Sequence, residues 1–187
     1  MAFPPASSSP ATGSSIKLKL REIAQLFNSL DPSPFSEQDL DHDAEEFIVS
    51  SARELPRHHD LRLVLNLEKP LGPPQTSEAV GDAIRHYFAY RASINRLELR
   101  EFFKRGRLSL LIGTVFLAGC LVLGHAIGRH DASGAFSSFA QEGLTIAGWV
   151  AMWRPMEIYL YDWWPLKRRG ALLTRLSHMR VEVVRPI

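Results

Sequence analysis

From Leu108 to Ile127 the chain carries no formally charged side chain, and this stretch limits what the rest can fold into. At about 1.5 Å of rise per residue, a helix of this length covers the ~30 Å hydrocarbon thickness of a bilayer. A core helix of a water-soluble domain seldom runs so long without a charge. A membrane-spanning helix is therefore expected.

The averages conceal this run. Of 187 residues, 45% are hydrophobic and 22% charged, as in an ordinary globular protein, because the charge-dense segment from Arg21 to Asp60 offsets the apolar one. A formal net charge of +2, with no basic stripe outside the flanks of the apolar run, does not indicate a nucleic-acid binder. The single cysteine, Cys120, excludes an internal disulfide. Residues 1–15 are rich in Ser, Pro and Ala, with no basic segment ahead of an apolar one. They predict a disordered tail and no signal peptide.

A second, less regular apolar segment runs from Phe139 to Trp153, meets Arg154, Pro155 and Glu157, and resumes from Ile158 to Tyr161 before Asp162-Trp-Trp-Pro165. It reads either as a full span with Arg154 inside, or as a shorter span followed by a helix in the headgroup region. Trp163 and Trp164 suit an interfacial aromatic belt in both cases. Six basic residues precede the first span (Arg91, Arg96, Arg100, Lys104, Arg105 and Arg107), and Lys167, Arg168, Arg169 and Arg175 follow the second. The short connection carries only Arg129 besides His130. By the positive-inside rule both termini are expected in the cytoplasm. Cys120, Gly124 and Gly128 on the first helix, and Gly143, Ala147 and Ala151 on the second, recur every fourth residue. Such small residues let helices approach closely, within a hairpin or between copies in a homo-oligomer.

Ahead of the spans the pattern becomes that of an α/β module. Ile16–Arg21 alternates apolar and basic residues, as a half-buried strand does. A short helix is expected over Glu22–Leu30. A second is expected to be capped by Ser36 with Asp39, to carry Leu40, Ala44, Phe47, Ile48, Ala52 and Leu55 on one face, and to end at Pro56. Leu61, Leu63, Leu65 and Leu67 mark a second strand. Ser77 to about Arg105 reads as a long helix broken at Gly106. After the spans, a basic amphipathic helix over Leu166–His178 and a last strand at Arg180–Arg185 are expected. The first two strands can pair in parallel, and the last can join their sheet.

The chain thus divides into a tail (1–15), a cytoplasmic α/β module of a small sheet with helices (16–105), and a first transmembrane helix (106–128). A short external loop (129–138), a second transmembrane helix (139–162) and a cytoplasmic basic helix with strand (163–187) follow.

Few residues suggest chemistry. Asp39-Leu-Asp-His-Asp43 alternates carboxylates, but Ala44 and Ser50 stand where a calcium loop needs Gly and Glu, so a solvated helix start is expected. His58-His59-Asp60 lacks a second ligand set at zinc spacing. No phosphate loop, nucleophile elbow or dinucleotide fingerprint occurs, so neither catalytic residues nor a cofactor or metal is expected. Arg154, Glu157 and Asp162 need an explanation, because a charge at the bilayer centre costs about 3 kcal/mol. Arg154 and Glu157 are three apart and can pair. Snorkelling to the headgroups competes with an inter-helix pair and with an ion path.

Leu26-Phe-Asn-Ser-Leu-Asp-Pro-Ser-Pro-Phe35 with Asp39-Leu-Asp41, and Trp153-Arg-Pro-Met-Glu157 with Leu160-Tyr-Asp-Trp-Trp-Pro165, resemble segments of small uncharacterised bacterial two-span inner-membrane proteins. The resemblance implies a bacterial inner membrane and brings no catalytic residue. A non-enzymatic, membrane-anchored module that binds a cytoplasmic protein is the expected function. An oligomeric transport or channel subunit using Arg154 and Glu157 is the alternative.

Overall fold

Helices make up most of the chain, with one small sheet. The computed structural model describes residues 15–56, 60–72, 75–130 and 135–184. Most of the expected tail, the centre of the expected external loop, His58, His59 and the end of the last expected strand lie outside them. Two compact units form: one from the residues up to Ser93 together with those from Ala171 onward, the other from Ile94–Gly170. The first thus ends short of position 105 and takes in the C-terminal strand.

In the first unit, β1 (Ser15–Leu20), β2 (Arg62–Leu67) and β3 (Arg180–Val184) form a parallel sheet in the order β1-β2-β3. The expected parallel pairing and the joining of the C-terminal strand are both present. Period-two alternation sets the register, because each strand has one apolar side to bury. Leu65 lies between Leu18 of β1 and Val183 of β3, and Leu63 between Ile16 and Val181. Leu63, Leu65 and Leu67 are buried. Each such leucine contributes about 1.5–3 kcal/mol on leaving water.

The helices α1 (His42–Glu54) and α2 (Ser77–His130) supply further residues to that core: Ala44, Ile48 and Ala52 from α1, and Val80, Ile84 and Phe88 from α2. Leu173 and Leu176 add to it from α4 (Trp163–Leu176).

Two local expectations are corrected. The helix after Arg21 is only a 3-10 turn, Ile23–Leu26. The next helix starts at His42, capped by Asp41, whose carboxylate accepts from the Asp43 N–H at 3.0 Å. Ser36 does not cap it, because residues 39–41 are drawn into an extended bridge. The Asn28 N–H donates to the Asp39 carbonyl at 2.8 Å, and the Asp41 N–H to that of Leu26 at 2.9 Å. Phe35 packs against Phe27 at 4.9 Å between ring centres.

A third correction concerns Gly106. α2 runs through it without a break. A glycine inside a helix costs about 1 kcal/mol, and here it allows close approach of another helix. A Cβ at 106 would stand 2.9 Å from Ile158 Cγ2.

In the second unit, α2 packs against α3 (Ala135–Glu157) and the five-residue π-helical turn Ile158–Asp162 that leads into α4. Partners run antiparallel: Gly128 and Gly124 beside Gln141, Gly148 beside Cys120 and Leu117, Gly113 beside Met152, and Gly106 beside Ile158. Among the described residues, α2 is the one helix long and apolar enough to cross a membrane. In α3 the uncharged stretch between Glu142 and Arg154 covers only about 17 Å.

Candidate functional site

Three places hold side chains that packing alone does not explain. The first is where α3 gives way to α4. Pro155 offers no N–H to the carbonyl of Ala151, and the helix widens into the π turn just beyond it. Arg154 donates to Glu157 Oε2 at 3.2 Å and lies 3.7 Å from Asp162 Oδ2, while Trp153 Nε1 donates to Glu157 Oε1 at 3.0 Å. All four belong to one continuous run of helix, and Arg154 is exposed. The pairs therefore draw its guanidinium along the helix, toward the level at which Gly106 meets Ile158. They make no link from one helix to the other.

Just beyond lies an aromatic group. Phe103 of α2 stands 6.2 Å from Tyr159 and 6.4 Å from Trp163 between ring centres, and Trp163 stands 6.0 Å from Trp164. Trp163 Nε1 donates to the Tyr159 carbonyl at 2.9 Å, which fixes that ring. Lys167 Nζ lies 5.0 Å above the Trp163 ring and the Arg168 guanidinium 4.7 Å above Trp164. Each such cation–ring contact contributes about 0.5–1 kcal/mol at an exposed site.

The expected packing residues are divided. Cys120 and Gly124 are buried, and Gly128 is half-buried beside Gln141. On α3, however, Gly143 has open space around it and Ala147 is exposed, whereas Gly148 and Pro155 are buried and Ala151 half-buried. The contacting face is displaced because both registers of α3 contain small residues, and its all-round apolar character gives no polar side to phase it. Deeper in the bundle, Asn95 is buried against Gly170, with its Nδ2 unsatisfied.

The second place is the face of the sheet opposite the core. Lys17, Lys19, Arg62, Arg180 and Glu182 are exposed there, around half-buried Val64 and Asn66. Parallel sheets are ordinarily covered on both faces. Here, among the described residues, helices supply core on one face only.

The third is a polar clamp between α1 and α2. Glu45 accepts from the Tyr87 hydroxyl at 2.8 Å and from Arg91 Nε and Nη2 at 3.1 and 2.9 Å. Burial, and then the neighbouring Glu45 carboxylate, push the Tyr87 phenol above its ordinary value of 10.0. A proton held more tightly in the folded state means that this contribution is full below pH 10 and is lost as pH rises past the ordinary tyrosine value. On alkaline titration Tyr87 should therefore resist ionisation past its ordinary value, with destabilisation setting in above about pH 10. Tyr87→Phe should remove a phenolate absorbance step well above pH 10, and a high-pH titration curve unchanged by that substitution would contradict the assignment.

Among the described residues no group of three His, Cys, Asp or Glu side chains could hold a metal. Asp39, Asp41 and Asp43 serve the bridge, the cap and the first turn of α1. No protein-family model, curated protein or solved structure matches the chain.

Proposed function

We propose that this is an integral membrane protein whose α2–α3 hairpin is inserted in a bilayer and whose α/β unit docks a protein partner in the cytoplasm. The observation that carries the membrane reading is outward-facing apolar surface. Only 17% of the most apolar stretch of α2 is buried, with Leu111, Ile112, Val115 and Val122 exposed on it and Ile146, Trp149 and Val150 on α3. A core helix of a soluble protein would be covered, and exposed patches of this extent require a partner or lipid.

Arg154 supports an interfacial position for its own level, since its carboxylate partners lie on the side of Gly106 and Arg107. This favours snorkelling over a buried charge within an ion path. Basic residues on both flanks support cytoplasmic termini. The bacterial inner membrane is the location the resemblance implies.

The docking role rests on the uncovered sheet face, whose four cations and one carboxylate suit an acidic surface. Photo-crosslinking from position 64, compared with position 30, tests it. A specific adduct from position 64 that disappears with Lys17→Glu, Arg62→Glu and Arg180→Glu is expected. An adduct indifferent to those charges, or none, would remove the docking role. Release of the intact chain by alkaline carbonate would remove the membrane reading.

A further inference from the structure

We infer that the aromatic group at the base of the hairpin, with the cations beside it, binds the phosphate of an anionic phospholipid. The inference rests on the membrane reading above and names a lipid partner for it.

Arg100, Lys104 and Arg107 recur on α2 at intervals of four and three residues, so they share one stripe. That stripe adjoins Phe103, whose ring faces Tyr159 and Trp163. Tyr159, Trp163 and Lys167 follow each other at four-residue intervals on the other helix, with the Lys167 ammonium over the Trp163 ring. All four cations are exposed, and none takes part in an ion pair among the described residues. Glu157 and Asp162 are engaged with Arg154, Glu98 lies on the other side of α2 by helical spacing, and Glu101, three residues before Lys104, makes no ion pair with it among the described residues.

Height along the helices selects a lipid over a soluble anion. The apolar run begins at Leu108, so Arg107 and Lys104 stand within about one turn of the hydrocarbon edge, and Arg100 about one turn further out. Phosphates of a bilayer occupy that depth, and tryptophan and tyrosine rings favour it. The aromatic rings give the upper acyl chains and glycerol a flat apolar wall. The cations give the phosphate donors on two sides. A zwitterionic headgroup would bring its own ammonium against four exposed positive charges, so the site discriminates for net negative lipids.

The test uses the full chain in lipid nanodiscs of phosphatidylcholine, with Trp149→Phe and Trp153→Phe so that Trp163 and Trp164 alone report. A fixed fraction of lipid is brominated in the upper acyl chain, as either phosphatidylglycerol or phosphatidylcholine. Stronger quenching by the brominated phosphatidylglycerol is expected, with the preference falling about fivefold for each cation removed among Arg100→Gln, Lys104→Gln, Arg107→Gln and Lys167→Gln. Removing four cations from the sheet unit instead (Lys17→Gln, Lys19→Gln, Arg62→Gln and Arg180→Gln) should leave the preference intact. Equal quenching by the two lipids would overturn the inference while leaving the membrane reading in place. Quenching by neither would overturn both. Loss of the preference on adding inorganic phosphate, beyond that caused by chloride at equal ionic strength, would reassign the site to a soluble anion.

Discussion

Replacing Gly113 by leucine is expected to force the hairpin apart and to cost about 2–3 kcal/mol of its stability. A Cβ at this position would lie 3.2 Å from Met152 Sδ, 3.3 Å from the Ala151 carbonyl oxygen and 3.3 Å from Pro155 Cγ. Two of these neighbours cannot yield: one is backbone, the other a ring closed on the backbone. Cys120, buried in the same seam and the only cysteine, provides the readout. Its labelling by a maleimide in detergent should accelerate by about 30-fold to 150-fold, following the change in the opening equilibrium. Gly119→Leu is the matched control, since nothing lies within 4 Å of a Cβ there. An unchanged rate in Gly113→Leu, or an equal acceleration in the control, would mean that the seam does not hold the helices.

Leu65→Ala should be at least as damaging, costing about 3–4 kcal/mol in the α/β unit. Leu65 is fully buried at the centre of the middle strand, with Leu18 and Val183 on either side in register. A cavity there cannot be closed from the flanks without disturbing two ladders. Since domains hold only about 5–15 kcal/mol in total, a loss of this size should expose α1 to limited proteolysis. Digestion at the wild-type rate would show that the sheet is not the core of this unit.

The strands were the most legible part of the chain, for a physical reason. Leu61–Leu67 and Ile16–Leu20 alternate cleanly because one face is buried and the other is not, and alternation is a local signal. The start of α1 was less so. Ser36 has the chemistry of a cap, but the bridge between Phe27 and Leu40 holds the chain extended until Asp41, and that pairing spans residues no local pattern connects. Gly106 carries the same lesson in reverse. Glycine reads locally as a breaker, whereas here it makes room for Ile158.

The face of α3 was the least legible. Gly143–Ala147–Ala151 and Gly148 lie on neighbouring stripes of a helix apolar all round, so only contact with α2 selects between them. Arg154, Glu157 and Asp162 could be singled out as costly in lipid. Their mutual pairing along one helix depends on the geometry of the turn beyond Pro155. The aromatic cluster was legible only as Trp163 and Trp164. Phe103, sixty residues away, gave no sign of joining them.

Parallel pairing of β3 with β2 has a temporal consequence. The ribosome delivers β3 only after both long helices have been made, more than half the chain after β2. Until then β2 lacks its second neighbour, and the core under it lacks Leu173 and Leu176. Maturation of the sheet must therefore await completion of the hairpin, so a nascent chain stalled at the hairpin would display unfinished edges for surveillance by chaperones and proteases.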